Sequence, residues 1–179
     1  MEKHYMNFKQ PWMNVANNYL GTTEVSGAAN NPEILRWAKI VGSEWQAKDL
    51  ESVAKEYIAD SIPWCGLFAA IVMAQSGIKP VKDPLWARNW AKFGTKLSEP
   101  CFGCVLTFSR DTGGHVGLYV SEETSYFHVL GGNQSDTVNI AKVAKSRILS
   151  YNWPAGMEKF RVPGRINKKF DGKVSTNEA

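Results

Sequence analysis

The longest apolar stretch of the sequence, residues 63–77, constrains the fold most strongly. Its length and alanine content favour a buried helix over a strand. The stretch begins with a proline and ends with a glycine, and both are natural helix boundaries. We therefore predict a central buried helix that starts near Pro63 and stops at Gly77. No stretch of the chain reaches the roughly 18–20 apolar residues of a membrane helix, so no membrane insertion is expected.

The rest of the sequence separates into a helical first half and a strand-rich second half. Four other segments carry apolar residues at helical spacing: 11–20, 32–42, 50–58 and 85–93. After Pro100 the apolar residues follow period two, which predicts five short strands: 105–108, 116–120, 126–130, 138–140 and 147–151. Helices followed by antiparallel strands are typical of the α+β class. We therefore predict N-terminal helices packed on a C-terminal antiparallel sheet.

Composition and charge limit the domain organisation and the partners. A chain of 179 residues, 44% hydrophobic and 21% charged, has the composition of one globular domain. The net charge is +4, and residues 158–179 hold six Lys or Arg against three Asp or Glu. We therefore assign residues 1–157 to one domain and residues 158–179 to a basic, flexible tail that could attract an anionic envelope surface. Nucleic-acid binding is not favoured, and a monomer is the default expectation.

One cysteine has the setting of a nucleophile. With three cysteines in the chain, at least one thiol is always left over from disulfide pairing. Cys65 lies in the first turn of the predicted buried helix, where backbone N–H groups and the helix dipole stabilise a thiolate. Cys101 and Cys104 form a Cys-x-x-Cys without a second ligand pair of suitable spacing. We interpret these two as structural cysteines and predict no metal site.

A nucleophilic cysteine needs a base, and histidine is the usual one. His4 lies in the terminal segment and is incidental, whereas His115 follows a Gly-Gly turn and begins a predicted strand. His115 is therefore the predicted general base. A third polar group usually holds such a histidine in its productive tautomer. The candidates are Asn133, in a polar glycine-containing segment, and His128, inside a predicted strand.

Five blocks carry the most specific pattern in the sequence. They are Pro11-Trp12-Met13, Asn31-Pro32-x-Ile34-Leu35, Asp60-x-x-Pro63-Trp64-Cys65, Gly114-His115-Val116-Gly117 and Leu130-Gly131-Gly132-Asn133-Gln134-Ser135-Asp136. In this order and spacing, from Pro11 to Pro154, they resemble the bacteriophage and prophage branch of the NlpC-type and CHAP (cysteine, histidine-dependent amidohydrolase/peptidase) cell-wall hydrolases. The chain departs from that family at Gly103-Cys104-Val105, where relatives usually show a Gly-Asp-apolar run.

The resemblance implies a papain-like α+β fold and a single catalytic domain that hydrolyses peptidoglycan without a metal or organic cofactor. Cys65 would be the nucleophile and His115 the base. Asn133 would be the third catalytic residue, with His128 as the alternative.

Substrate contacts are assigned to three residues within these blocks, namely Trp64, Asp60 and Gln134. Some of Trp12, Trp86 and Trp90 could line the substrate-binding groove. A tryptophan is, however, more often a core residue than a ligand contact.

The leading interpretation is a phage endolysin. Residues 1–10 lack the apolar segment of a secretory signal, so we expect synthesis in the host cytoplasm and action on the cell wall after release. The bond cut would be either the N-acetylmuramoyl-L-alanine amide or a peptide bond of the stem or cross-bridge, since the same residues would serve both. An antibacterial toxin of the same fold and a non-catalytic cell-wall or protein-binding module are the alternatives.

Overall fold

The computed structural model describes residues 7–27, 29–44, 50–111, 113–169 and 171–174. Within these ranges, four α-helices come first in the chain: α1 (Pro11–Asn18), α2 (Pro32–Glu44), α3 (Glu51–Glu56) and α4 (Cys65–Gln75). Six strands follow: β1 (Thr95–Leu97), β2 (Val105–Arg110), β3 (Gly113–Glu122), β4 (Tyr126–Gly131), β5 (Asn139–Ala144) and β6 (Ile148–Trp153). Short 3₁₀ helices lie at Ala87–Lys92, Lys145–Arg147 and Glu158–Phe160. The prediction of an α+β protein is confirmed.

All six strands belong to one antiparallel sheet with the order β1-β6-β2-β3-β4-β5. Strands β2 to β5 are neighbours in chain order, whereas β6 crosses back to the other side of β2. The five predicted strands are all present within a few residues of their expected bounds. Strand β1 was not predicted, because Thr-Lys-Leu is too short and polar to give a period-two signal.

The apolar stretch forms α4, and the prediction of a central buried helix is confirmed. Every residue from Cys65 to Ala74 is buried, because the helix packs on β3 and is covered by α1 and α2. A helix covered on all sides is apolar all round. It begins at Cys65, since the Phe68 amide donates to the Trp64 carbonyl at 2.8 Å. None of the described helices combines the length and hydropathy needed to cross a bilayer.

The helix predicted over residues 85–93 is shorter and tighter than expected. Only Ala87–Lys92 is helical, and it is a 3₁₀ helix. In the turn before it, the Trp90 indole donates to the Pro84 carbonyl at 2.9 Å, and the Asn89 side-chain amide donates to the Asp83 carbonyl at 3.0 Å. Side-chain donors therefore occupy carbonyls that an α-helix would use, and they hold the turn of residues 83–86 in a fixed shape.

The C-terminal segment, predicted to be a basic tail, contacts the sheet at the end of β3. The Glu122 amide donates to the Ile166 carbonyl at 2.8 Å, and the Lys168 amide donates to the Glu122 carbonyl at 3.1 Å. The Glu122 side chain, only 4% exposed, accepts from Lys145 Nζ at 2.7 Å and from Arg165 Nη1 at 3.0 Å. Part of the positive charge of this segment is therefore neutralised within the molecule.

We expect acid to destabilise the fold through two buried side chains. Burial lowers the pKa of His128 below its ordinary value of 6.5. Burial raises the pKa of Glu122, but hydrogen bonds from Lys145, Tyr119 and Arg165 outweigh it and bring that pKa below the ordinary 4.5. In both cases the unfolded chain binds more protons than the folded one at acid pH. Stability is therefore full above the unfolded-state values and falls in two steps, below about pH 6.5 and again below about pH 4.5.

Urea unfolding at a series of pH values from about 7.5 to about 4 measures both steps. The His128→Gln variant should lose most of the first step and keep the second. A free energy of unfolding that stays constant or rises between pH 7 and pH 5 contradicts the role given to His128.

Candidate active site

Cys65 lies in the wall of an open cleft. It is the first residue of α4 and lines a cavity of about 470 Å³ together with Pro63, Trp86 and Gly114. Because the helix begins at this residue, its first backbone N–H groups have no acceptor within the helix. The side chain of Cys65 is thus placed next to a group of backbone donors, in a cleft large enough for part of a peptide or saccharide.

One segment contacts both the helix of Cys65 and the strand of His115. Gly66 lies so close to the turn of residues 83–86 that a Cβ there would overlap the Pro84 carbonyl oxygen. A Cβ on Gly114 would lie 3.5 Å from Ala87 Cβ. The residue after Cys65 and the residue before His115 therefore pack on the same short segment, residues 84–87.

A second segment, residues 131–132, also contacts both the flank of Cys65 and His115. A Cβ on Gly132 would lie 2.7 Å from the Trp64 ring, and a Cβ on Gly131 would lie 3.3 Å from His115 Nε2. A side chain at 132 would overlap the Trp64 ring, and one at 131 would force His115 or Gln134 to shift. The flanks of Cys65 and of His115 thus share two neighbouring segments, 84–87 and 131–132. Together with the packing of α4 on β3, this arrangement places the two residues on facing elements, and Gly114, the residue before His115, lines the same cleft as Cys65.

The ring of His115 is buried and held on two sides. Its exposed fraction is 0%, and it stacks on Phe108 of β2 with ring centroids 6.2 Å apart and planes at 27°. Its Nε2 atom lies 3.0 Å from Gln134 Oε1. The orientation of the imidazole is therefore fixed by packing and by one polar contact.

The other hydrogen bonds of Gln134 determine the tautomer of His115. The Gln134 side-chain nitrogen donates to the carbonyls of Val129 at 3.1 Å and Asn139 at 2.8 Å, so its amide hydrogens point to backbone oxygens. Its Oε1 faces His115, and an amide oxygen only accepts. Nε2 of His115 must therefore carry the hydrogen, which leaves Nδ1 as the basic nitrogen of the neutral ring.

Gln134 makes the contact with Nε2 of His115. From the sequence, Asn133 was the expected third catalytic residue, and Gln134 was expected to contact the substrate. Asn133 is 1% exposed and has a left-handed backbone, with φ at 58°. This conformation turns the chain so that the next side chain reaches back to the histidine. Both residues stand in the same polar block, and the sequence does not show which of them faces the sheet.

His128, the alternative third residue, lies towards the other end of the sheet. Its Nδ1 atom is 2.7 Å from Ser121 Oγ, and its Nε2 atom is 3.8 Å from the Glu123 carboxylate. Ser121 stands six residues beyond His115 on β3, about 20 Å along a strand. The structure therefore does not bring His128 to His115. His4 lies outside the described residues.

Two of the predicted substrate contacts, Asp60 and Trp64, are buried. The Asp60 carboxylate accepts from the backbone amides of Val25 at 3.0 Å and Asn31 at 2.7 Å, and the residue is 2% exposed. Asp60 therefore ties the loop after α1 to the segment before α4. Trp64 is 0% exposed, and the centroid of its ring lies 5.9 Å from that of the Trp37 ring. Neither residue is among those that line the cleft.

The remaining tryptophan candidates separate into core and cleft. Trp12 and Trp90 are 0% exposed, and the Trp12 indole donates to the Gly103 carbonyl at 2.7 Å. Trp86 is 68% exposed and lines the cleft beside Cys65. Of the four tryptophans considered from sequence, Trp86 is thus the one positioned to touch a ligand.

Cys101 and Cys104 lie in the hydrophobic core, 3% and 0% exposed, as expected for structural cysteines. Burial raises the pKa of the Cys104 thiol well above its usual 9.0, whereas a hydrogen bond with Cys104 lowers the pKa of Cys101. Neither is among the residues that line the cleft of Cys65. Within the described ranges, no group of three or more His, Cys, Asp or Glu is arranged to hold a metal ion.

Comparison of the chain with protein-family models, with curated proteins and with solved structures finds no match. The function is therefore proposed from the residues of the site and from the sequence pattern around them.

Proposed function

We propose that the protein is a peptidoglycan hydrolase of the endolysin type, with Cys65 as nucleophile and His115 as general base. The observation that carries the proposal is that Cys65, at a helix start beside a cleft, and the buried His115, whose tautomer is fixed, have flanking residues that pack on the same two segments, 84–87 and 131–132. A helix bearing the cysteine and packed on an antiparallel sheet bearing the histidine is also the arrangement of a papain-like fold. The resemblance of the sequence blocks to NlpC-type and CHAP hydrolases supplies the substrate class.

The reaction would proceed in two halves. Nδ1 of His115 takes the thiol proton, and the Cys65 sulfur attacks the carbonyl carbon of the scissile amide. The resulting oxyanion would be stabilised by backbone N–H groups at the start of α4, which have no acceptor within the helix. The imidazolium then gives its proton to the leaving amine as the C–N bond breaks, which leaves a thioester on Cys65.

Water completes the cycle. His115, neutral again, takes a proton from a water molecule that attacks the thioester carbonyl. The C–S bond breaks, the thiolate takes the proton back from the imidazolium, and the product leaves as a carboxylic acid. Gln134 does not touch the substrate in this scheme. It is a positioning residue that keeps the hydrogen on Nε2 and the basic lone pair on Nδ1 of His115.

The charges of the cleft suit the stem peptide of peptidoglycan, which carries both carboxylates and amino groups. Glu56, Arg110 and Asp111 all line the same cavity as Cys65. Each charged group of the stem peptide can pair with an opposite charge of the cleft. A uniformly charged polymer would be repelled by part of the lining.

Digestion of purified peptidoglycan tests the proposal. We expect soluble fragments whose mass spectra show one amide bond hydrolysed, with equal amounts of new amine and new carboxylate. Pretreatment with iodoacetamide should abolish this release, because alkylation blocks the nucleophilic sulfur. Intact peptidoglycan after prolonged incubation with folded protein, or undiminished release after complete alkylation of Cys65, contradicts the proposal.

Replacing Gln134 by leucine should lower kcat by about 10- to 100-fold, with little change in KM. The amide contributes one neutral hydrogen bond to the histidine, so the loss is smaller than the ~10⁴-fold seen when a buried carboxylate orienter is removed. The matched control is Asn133→Gly, which removes the neighbouring side chain and tolerates the left-handed backbone at this position.

The tautomer of His115 shows whether Gln134 positions the catalytic histidine or only stabilises the fold. In ¹⁵N NMR spectra, the imidazole of His115 should be protonated at Nε2 in the unaltered chain and in Asn133→Gly, and should become a mixture of tautomers in Gln134→Leu. If Asn133→Gly shows the larger loss of kcat and the altered tautomer, Asn133 is the orienting residue and the assignment to Gln134 is wrong.

A further inference from the structure

Trp86 differs from every other described tryptophan in its exposure. Six of the seven tryptophans lie in the described ranges, and five of these are at most 1% exposed, whereas Trp86 is 68% exposed. An indole left in water forgoes the hydrophobic stabilisation that the others gain by burial. Trp86 also stands beside the nucleophile rather than at an arbitrary surface position.

The indole is carried on a rigid support. The turn of residues 83–86 is held by side-chain donors from Trp90 and Asn89, and its backbone packs directly on Gly66, next to Cys65. The backbone N–H of Asn89 also donates to the Trp86 carbonyl at 2.9 Å. The position of Trp86 relative to Cys65 is therefore set by backbone contacts, which is the condition for a preorganised binding surface.

Trp86 stands between two cavities. The cavity of Cys65 and a second one of about 350 Å³ share Glu56, Leu85 and Trp86 as lining residues. The two cavities are therefore adjacent, with Trp86 as a shared wall, and we call the pair the groove. A ligand that occupies both would therefore lie against Trp86 at its middle and reach Cys65 with one part.

The two ends of the groove differ in chemistry. The end at Cys65 contains Arg110, a cation that suits the carboxylates of a peptide, together with Glu56 and Asp111, which suit its amino groups. The second cavity is lined by Ser52, Asp83 and Asn89, and no cation is found among its described lining residues. Hydroxyl, carboxylate and amide groups beside an exposed indole suit a neutral, hydroxyl-rich ring, because the C–H face of a pyranose packs on the aromatic face while its hydroxyls bond to the polar side chains.

We propose that Trp86 binds a saccharide ring of the glycan strand, and that the scissile bond is therefore the amide between the muramoyl lactyl group and the first residue of the stem peptide. This inference builds on the proposed hydrolase function and names its bond. The Cys65 sulfur would form a thioester with the lactyl carbonyl, and the leaving group would be the amino terminus of the peptide, protonated by His115. Water would then release the lactyl carboxylate and restore the thiol.

Paired ligands from one peptidoglycan test this inference. Binding is measured on Cys65→Ala protein, so that the ligand is not consumed, with a disaccharide-tetrapeptide and with the same tetrapeptide without sugar. The sugar-bearing ligand should bind about tenfold more tightly, and adding Trp86→Ala should remove that difference. Trp86→Phe should keep most of it, and Ile58→Ala, which removes another apolar side chain, 74% exposed, should leave it unchanged.

The active enzyme gives a second readout. Digestion of the disaccharide-tetrapeptide should yield free disaccharide with a lactyl carboxylate and tetrapeptide with a new amino terminus, and Trp86→Ala should lower kcat/KM by about tenfold. Cleavage between two amino acids, or an equal loss of binding for both ligands in Trp86→Ala, overturns the inference and leaves the hydrolase function standing. Failure to bind or cut any peptidoglycan fragment overturns both.

Discussion

Replacement of Cys65 by alanine is expected to lower kcat for peptidoglycan hydrolysis by on the order of 10⁶-fold, the loss typical when the nucleophile of a covalent mechanism is removed. The sulfur forms the bond that divides one difficult amide hydrolysis into two easier steps, and no neighbouring group can take its place. Binding should survive, because the backbone donors at the start of α4 and the walls of the cleft are unchanged. The measurement is release of soluble fragments from purified peptidoglycan, with fragment binding measured in parallel.

The matched control is Cys101→Ala, which also removes one buried thiol but acts away from the cleft. Cys101 is 3% exposed and Cys65 is 4% exposed, so the two substitutions remove side chains of equal size from equally buried positions. Both variants should unfold at similar temperatures, and Cys101→Ala should hydrolyse peptidoglycan at close to the normal rate. Activity that persists in Cys65→Ala would exclude the covalent mechanism. Binding without hydrolysis in the unaltered chain would instead support a non-catalytic module.

The elements predicted best are those in which local and tertiary signals agree. The stretch that becomes α4 is apolar at every turn because it is covered on every side, and such a segment has few alternatives to a buried helix. The strands after Pro100 were also clear, because short runs rich in Val, Phe and Tyr between turn residues favour strands, although β2 and β4 are buried along most of their length and not at alternate residues. The segment 83–93 was less predictable, because indole and amide donors from Trp90 and Asn89 divert the carbonyls that helical spacing would assign to an α-helix.

The chemistry of the site was only partly readable from sequence. Cys65 and His115 stand in blocks that fix their local geometry, a helix start and a strand beginning after two glycines. The partner of His115 depends on a left-handed residue at Asn133, which directs the next side chain, Gln134, back towards the sheet. That rotation is a property of the folded turn, and the block Gly-Gly-Asn-Gln is compatible with either side chain facing inward.

Trp86 shows a similar limit for the binding surface. Composition reveals seven tryptophans but does not rank them by exposure. Trp64 is buried beside Trp37 and Gly132, whereas Trp86 is exposed on a turn whose backbone lies on Gly66, a contact between segments almost twenty residues apart. Long-range backbone contacts of this kind leave no periodic trace in the sequence.

Replacement of His115 by alanine is expected to lower kcat/KM by about 10²- to 10⁴-fold, the usual contribution of general acid–base catalysis. Without the imidazole, the thiol has no acceptor for its proton, and the leaving amine has no donor. The decisive comparison is His128→Ala, because the chain offers a second histidine that is buried to the same extent, 0% exposed, on the neighbouring strand of the same sheet.

The two histidine variants should therefore separate catalysis from stability. His128→Ala leaves a cavity beside Ser121 and should lower the unfolding temperature, while folded protein keeps its specific activity at a temperature well below the transition. His115→Ala should lose activity at every temperature, and the pH dependence that reports the catalytic base should disappear with it. Equal losses of specific activity in the two folded variants would mean that His115 has no special role in catalysis, and its assignment as the base would fail.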